Sequence, residues 1–308
     1  MNIFLYIMTV FIWGSTWLSI TYQLGVVPID VSIFYRFALA SLLVFIWCFM
    51  KRQTLKFSWK THLFFIAQGF FLFSMNYIAS YEASRYIPSG LNAIGFSMVL
   101  VFNIINSAIF YRTSITLPII VGAMSGMVGI MTIFWPSLST LDLSSASLLG
   151  IFLSLLGGLL ASFGNIISGR NQKKSISVTE SNAYGMGYGA LWMLGVIWFK
   201  GIPFQFDYSY PYVLSLLHLS VFGSVIAFGC YLTLLGRIGA SKAAYTLVMT
   251  PVVALGVSTL FEDFVWESHI FMGLGLILLG NIIILAKKPV KKRSEEKPTT
   301  LIPLKEAA

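Results

Sequence analysis

Charge is scarce in this chain, and unevenly so. Only 10% of the 308 residues are Asp, Glu, Lys or Arg, where a soluble domain carries about 25%. The hydrophobic share is 57% and the mean hydropathy +0.83. No water-soluble core could hide that much apolar surface, so a soluble enzyme or binding domain is excluded. Cysteine is scarcer still. Cys48 and Cys230 both lie in apolar runs, which excludes a disulfide framework. The ten-residue polar/apolar alternation of barrel strands is missing. Metal-ligand spacings and phosphate-binding loops are missing too, so no metal and no cofactor is expected. No Asp or Glu falls in the middle of an apolar run, which removes the usual proton-coupling carboxylate and favours facilitated exchange or a less obvious coupling group.

What remains are ten apolar runs, near 2–24, 31–50, 62–81, 89–110, 117–135, 149–169, 182–199, 212–235, 243–261 and 269–286. About 20 apolar residues cross a bilayer as a helix, and only helices and closed barrels satisfy every backbone group in lipid. The runs predict an all-α integral membrane protein with ten transmembrane helices. The first run opens without a basic segment and closes without a small-residue cleavage site, so it reads as a retained helix rather than a signal peptide.

The net charge of +9 does not point to nucleic acid, because the basic residues flank membrane spans. With the N-terminus in the cytoplasm, 17 of the 20 Lys and Arg fall in cytoplasmic loops and the tail, among them Lys51, Arg112, Arg170, Lys173, Arg237 and Lys242. Arg85 and Lys200 fall outside, and Arg36 lies within the second run. Cytoplasmic loops carry the excess of Lys and Arg, so both termini are expected in the cytoplasm of an inner (plasma) membrane protein. The tail from 288 to 308 reads as a solvated basic flank.

The chain also matches itself. Sliding it by 151 residues sets Ile87 on Ile238, Met98 on Met249, Gly122 on Gly273 and Gly129 on Gly280, with ten identities over 47 positions. Arg112 then faces Asp263, so equivalent loops carry opposite charge. Five is odd, so a five-helix unit repeated once enters the membrane in opposite senses, as in transporters built from inverted repeats. The organisation expected is a first unit over 1–136, an outer linker over 137–148, a second unit over 149–287 and a tail.

Trp13-Gly14-Ser15-Thr16-Trp17, Ala240-Ser241, Thr250-Pro251-Val252-Val253, Phe261-Glu262 and the glycines from Gly273 to Gly280 together resemble the EamA branch of the drug/metabolite transporter superfamily. The first half departs from the pattern, with Leu100 where the second half has Pro251 and Tyr111-Arg112 at the expected acidic end. The resemblance implies two EamA domains and alternating access around a cavity lined by the first, third, fourth, sixth, eighth and ninth helices. It also implies small organic substrates such as amino acids, metabolites or drug-like compounds, often exported. Fold alone does not choose among them.

Candidate substrate-binding residues are the aromatics and amides within the runs. Trp13 and Trp17 share a helix face and read either as an aromatic wall or as packing toward lipid. Asn76, Tyr77 and Tyr81 lie on the third helix, Asn92 and Phe96 on the fourth, Phe163 and Asn165 on the sixth, and Tyr231, Tyr245 and Met249 on the eighth and ninth. Membrane amides need partners, which a substrate or another helix can supply. Arg36 is costly in lipid. It either snorkels, pairs with Asp30 or Glu82, or meets a charged group of the substrate. Pro251 removes a backbone donor within the ninth helix and reads as a gating hinge or a static kink. Two other functions fit the composition: a flippase of lipid or lipid-linked substrates, and, remotely, an intramembrane hydrolase using Ser97 with His218. Membrane lipid and a small molecule are the expected partners, and catalysis is not expected.

Overall fold

A computed structural model describes residues 1–23, 25–83, 85–87, 92, 95–133, 135–139, 145–261 and 266–286. Among them every regular element is helical: α1 Asn2–Thr21, α2 Ile29–Met50, α3 Trp59–Ala83, α4 Val99–Tyr111, α5 Leu117–Ile133, the short α6 Trp135–Ser139, α7 Ser145–Lys173, α8 Val178–Lys200, α9 Tyr210–Ile238, the one-turn α10 Ala240–Ala243, α11 Tyr245–Phe261 and α12 Ser268–Ala286. Among the described residues four helices are long and apolar enough to cross a membrane, at Ile29–Met50, Trp59–Ala83, Ala146–Lys173 and Tyr210–Ile238. Shorter apolar helices include Asn2–Thr16, Gly95–Tyr111, Leu117–Ile133 and Ser268–Ile284. Residues 140–144 of the expected linker, Glu262 and Asp263, and the tail with Lys287 lie outside the described residues.

Local chemistry sets the helix ends. At the start of α8, Ser177 Oγ accepts the Glu180 N–H at 3.2 Å and the Glu180 carboxylate accepts the Ser177 N–H at 3.0 Å, a reciprocal cap. This cap and the turn before it start α8 at Val178, earlier than the apolar run near 182 suggests, and α7 likewise reaches Lys173 rather than ending near 169. The reason is that capping and backbone hydrogen bonding extend a helix beyond its apolar stretch. Gly201 ends α8 at φ +63°, a conformation other residues adopt with strain.

Aromatic side chains mark both ends of the bundle. Trp198, Phe199, Tyr208 and Tyr210 are exposed at one end, and Trp47, Phe49 and Trp59 at the other, where Lys51 Nζ stands 4.9 Å from the Trp47 ring centroid. Such belts sit at the headgroup level of a bilayer.

Two packing clusters hold the helices. The first joins α2, α3, α7, α8 and α9 around Phe37, Phe73, Met186, Met193 and Phe228. The second joins α4, α5, α11 and α12 around Leu100, Ile130, Tyr245 and Ile277. Within the second, α5 and α12 run antiparallel with glycine against glycine. A Cβ added to Gly129 would lie 2.6 Å from the Gly273 carbonyl oxygen, and one added to Gly273 would lie 2.5 Å from that of Gly129. Gly122 and Gly280 face each other in the same way, at 2.9 and 2.7 Å. Ser125 Oγ donates to the Leu276 carbonyl at 2.7 Å, across a separation of 151 residues. A shift of 151 turns each glycine contact into the other and maps Ser125 onto the residue it bonds. Glycines let backbones approach this closely where lipid offers no hydrophobic drive for helix association.

Two helices widen to π-type hydrogen bonding, α3 over Phe71–Met75 and α9 over Leu219–Ile226. The same shift carries Phe71–Met75 onto Phe222–Ile226. In both, a serine hydroxyl donates to the carbonyl five residues back, Ser74 to Gly69 at 3.0 Å and Ser224 to Leu219 at 3.0 Å. Single widened turns often mark functional positions in helices.

A closed polar knot ties α3, α7 and α8. Gln68 Oε1 accepts from Ser181 Oγ at 2.6 Å and from Asn171 Nδ2 at 3.0 Å. Gln68 Nε2 donates to Asn182 at 3.4 Å, and Arg170 donates to Asn171 Oδ1 at 3.0 Å. Gln68, Asn171 and Ser181 are all buried. A Gln68→Leu variant strips the acceptor from two buried donors, each worth about 1–3 kcal/mol when left unmade. The expected outcome is a lower melting temperature in detergent. An unchanged melting curve would mean the knot does not hold the three helices together.

Candidate functional site

The first packing cluster opens onto a line of aromatic and amide side chains. Trp13 on α1 is its centre. The indole N–H donates to the Gly223 carbonyl in the widened turn of α9 at 3.0 Å. Its ring lies 5.0 Å from Phe228 edge-on and 5.1 Å from Tyr231, within the range of favourable aromatic pairs. Beside it, Gly14 lets α1 lie close against α11, since a Cβ there would strike Val253 at 2.5 Å.

From Trp13 the line runs toward the basic end. The Tyr231 hydroxyl accepts from Asn165 Nδ2 at 3.0 Å, and the same amide donates to Asn103 Oδ1 at 3.4 Å. Asn165 Oδ1 and Asn103 Nδ2 are buried and hydrogen-bond to no described residue. Ile104, next to Asn103, and Ser107, one turn beyond, line a cavity of about 530 Å³. Tyr111, Lys173, Arg237 and Lys242 line it as well, and no Asp or Glu does. Lys173 Nζ stands 3.4 Å from the Tyr111 ring centroid, and the Tyr111 hydroxyl donates to the Ile166 carbonyl.

From Trp13 the line runs the other way to Arg36. This side chain is only 4% exposed. Its Nε donates to Ser224 Oγ at 2.8 Å, and its guanidinium lies 5.1 Å from the Tyr77 ring centroid and 5.4 Å from that of Phe37. The expected ion pairs are not formed. Asp30 is taken by Lys200 at 3.1 Å, and Glu82 by Arg85 at 3.3 Å. Both acids sit at the helix ends, within reach of bases that need not leave water, whereas Arg36 is held inside by the α9 turn. It therefore does not snorkel.

The other candidates divide. Tyr77, Tyr81 and Phe96 pack against the same cluster and remain partly accessible. Asn76 is buried with its Oδ1 unpartnered among the described residues. Asn92 donates to the Ser80 carbonyl at 2.7 Å, which ties α3 to the chain ahead of α4. Phe163 lies apart, its ring 5.5 Å from Phe71 and 6.3 Å from the exposed Phe110. Tyr245 is fully buried in the α5–α12 seam, where Cβ atoms added to Gly126 and Gly280 would meet its hydroxyl at 3.0 and 2.9 Å. Met249 packs on that second cluster. Pro251 lies within α11, which continues through it; its side chain and that of Trp17 lie outside what the structure describes. His218 shares a hydrogen bond of 2.7 Å with Ser19 on α1 through Nδ1. No group of three or more His, Cys, Asp or Glu among the described residues could hold a metal ion.

Sequence reasoning missed Ser224, Gly223, Asn103 and Phe228. Nothing in the sequence marks a widened turn, and that turn is what aims Ser224 and Gly223 at Arg36 and Trp13. Asn103 lay in plain view as an intramembrane amide.

Comparison with known proteins bears on family and fold. Over 92% of its length the chain is 24% identical to Protein PagO of Salmonella typhimurium, covering 93% of that protein. It is 26% identical to an uncharacterized transporter of Archaeoglobus fulgidus, over 91% of this chain and 97% of that one. It is 25% identical to the uncharacterized transporter YoaV of Bacillus subtilis, over 79% and 82%. A protein of known crystal structure superposes with a TM-score of 0.76 at 12% identity, over 92% of this chain and 96% of that one, which establishes a shared fold. The model of the EamA-like transporter family matches residues 1–135 and again residues 148–286, nearly the whole apolar part of the chain, and the protein therefore belongs to that family of membrane transporters.

Proposed function

We propose that the chain is a multi-pass secondary transporter of the inner (plasma) membrane. It carries a small organic solute by alternating access, through ten spans arranged as two inverted five-helix repeats with both termini cytoplasmic. The observation that carries this reading is the α5–α12 seam. Its contacts Gly122–Gly280 and Gly129–Gly273 exchange under a shift of 151, and Ser125 bonds its own equivalent. Antiparallel helices related in this way support a twofold axis in the membrane plane, the symmetry of inverted repeats. The twin widened turns of α3 and α9 support it independently.

The solute's route follows the polar line, from the basic cavity past Asn103 and Asn165 to Trp13 and Arg36. Alternating access requires that the two ends of this line open in turn, and the halves rock about the seam. The test is counterflow in proteoliposomes with a panel of amino acids, carboxylates, nucleosides and aromatic cations, with and without a pH gradient. At least one solute is expected to accumulate above protein-free vesicles. If none does under either condition, the transporter mechanism is wrong.

A further inference from the structure

Arg36 is a buried cation with most of its donors unspent. A guanidinium has five N–H donors and no acceptor. Among the described residues only Nε–H is used, toward Ser224 Oγ. No carboxylate among the described residues pairs with Arg36; Asp30 and Glu82 are committed to Lys200 and Arg85. A cation left this way in a membrane interior is costly unless something else pairs with it. Its terminal nitrogen faces Gly223, where the missing side chain keeps room; a Cβ there would lie 3.3 Å away. The Tyr77 ring lies 5.1 Å from the same guanidinium, and neither the Tyr77 nor the Tyr81 hydroxyl hydrogen-bonds to another described residue. Oxyanions take guanidinium forks in two parallel hydrogen bonds, and phenol hydroxyls add donors to the same oxygens.

The surroundings fix the rest of the ligand. Tyr77 and Phe37 present rings rather than polar groups to the Arg36 guanidinium, and Trp13 is hydrogen-bonded to the Gly223 carbonyl beside it, which suits a flat apolar body. An ammonium would find no described carboxylate along the line and would meet Arg36 instead. The cavity at the other end is lined by Lys173, Arg237 and Lys242 without an acid, and a mouth of one sign raises the local concentration of the opposite one.

We propose that the solute is an organic anion, an aromatic carboxylate, whose carboxylate is held by Arg36 while its ring stacks beside Trp13 and Tyr77. This rests on the transporter reading and specifies the substrate class of the same site. A phosphate monoester would offer Arg36 similar chemistry, so the test separates the two.

Four probes share one phenyl body: 3-phenylpropionate, phenylalanine, phenethylamine and phenyl phosphate. Their binding to the purified full-length protein in detergent is measured by calorimetry. 3-Phenylpropionate is expected to bind at least tenfold more tightly than each of the other three. Arg36→Met is expected to weaken it by about 30-fold, in line with loss of charge-assisted hydrogen bonds, and Arg36→Lys by several-fold, since the charge stays and the fork is lost. Apo Arg36→Met is expected to melt no lower than the parent, because it removes an uncompensated buried charge; a structural arginine would show a drop. Comparable or tighter binding of phenylalanine or phenethylamine overturns the proposal, as does no binding of 3-phenylpropionate or unaltered binding by Arg36→Met. Comparable or tighter binding of phenyl phosphate overturns the carboxylate assignment. Because binding is read without vesicles, the two readings fail separately. An Arg36-dependent carboxylate site with no solute moving in the panel sinks the transport mechanism. Transport of other solutes untouched by Arg36→Met sinks this proposal alone.

Discussion

Replacing Gly129 by leucine is expected to prevent the folded protein from accumulating. The argument is steric and local. A single Cβ at Gly129 would already stand 2.6 Å from the Gly273 carbonyl oxygen and 3.0 Å from the Ile277 backbone nitrogen. Both obstacles are backbone, so neither can rotate aside as a side-chain tip would. Overpacking a core costs about 1–3 kcal/mol and more where the backbone blocks relief, and leucine brings four carbons. The only relief is for α5 and α12 to separate, which dismantles the contact that glycine exists to permit. The Ser125 hydrogen bond to Leu276 would be lost with it, at a smaller cost of about 0.6 kcal/mol typical of such bonds in membranes.

The internal pairing sharpens this expectation. Gly280→Leu meets the Gly122 carbonyl at the position equivalent to the one Gly129→Leu meets on Gly273, so the two variants should fail to a similar degree. Gly195→Leu is the control, because nothing lies within 4 Å of a Cβ there. Size-exclusion profiles of detergent extracts read the result. Wild-type monodispersity of Gly129→Leu would show that the seam is loose, and a large inequality between Gly129→Leu and Gly280→Leu would argue against an axis through Ser125 and Leu276.

These seam glycines were legible in the sequence, because a repeat sets Gly122 over Gly273 and Gly129 over Gly280 without any knowledge of contact. Their facing each other was not legible, since similarity at equivalent places says nothing of which copies touch. The all-helical membrane class was equally plain, because charge scarcity is a property of composition. The candidate site was legible in part. Trp13, Tyr77, Tyr231 and Asn165 were found by residue type and depth, and the structure gathers them along one line. Tyr245 and Phe163 satisfied the same criteria and went elsewhere, to the seam and to the side of Phe110. Helix rotation decides between these outcomes, and a helix apolar all round carries too weak a periodicity to reveal it. Arg36 was recognised as costly, yet its partner was sought among acids. The actual acceptor, Ser224, depends on a widened turn 188 residues away, which no local pattern encodes. The knot of Gln68, Asn171 and Ser181 went unseen for a related reason: its members are ordinary amides and hydroxyls until three helices bring them together.

Trp13→Ala is expected to reduce transport to about a tenth or less while leaving the protein folded. The indole makes three separate interactions: edge contact with Phe228 at 5.0 Å, contact with Tyr231 at 5.1 Å and donation to the Gly223 carbonyl at 3.0 Å. Aromatic pairs contribute about 0.5–1.5 kcal/mol each beyond their buried area, and a tenfold rate effect needs about 1.4 kcal/mol, so losing the ring suffices. Folding is expected to survive because Trp13 is only partly buried, so truncation opens onto accessible space rather than creating a sealed void. Trp13→Phe divides the effect. It keeps a ring beside Phe228 and Tyr231 and loses only the bond to Gly223, the link between α1 and the widened turn of α9 that also carries Ser224 and, through it, Arg36. If Trp13 is only a wall, Trp13→Phe should transport nearly as well as the parent. If it also sets the turn, Trp13→Phe should weaken solute affinity in the same direction as Arg36→Lys. Trp198→Ala, at an exposed surface position, controls for loss of a tryptophan as such. Counterflow of the solute found in the vesicle panel gives the rate, and a melting curve in detergent gives the fold. Normal transport by Trp13→Ala would remove the aromatic wall from the route, and with it the reason to place the solute between Trp13 and Arg36.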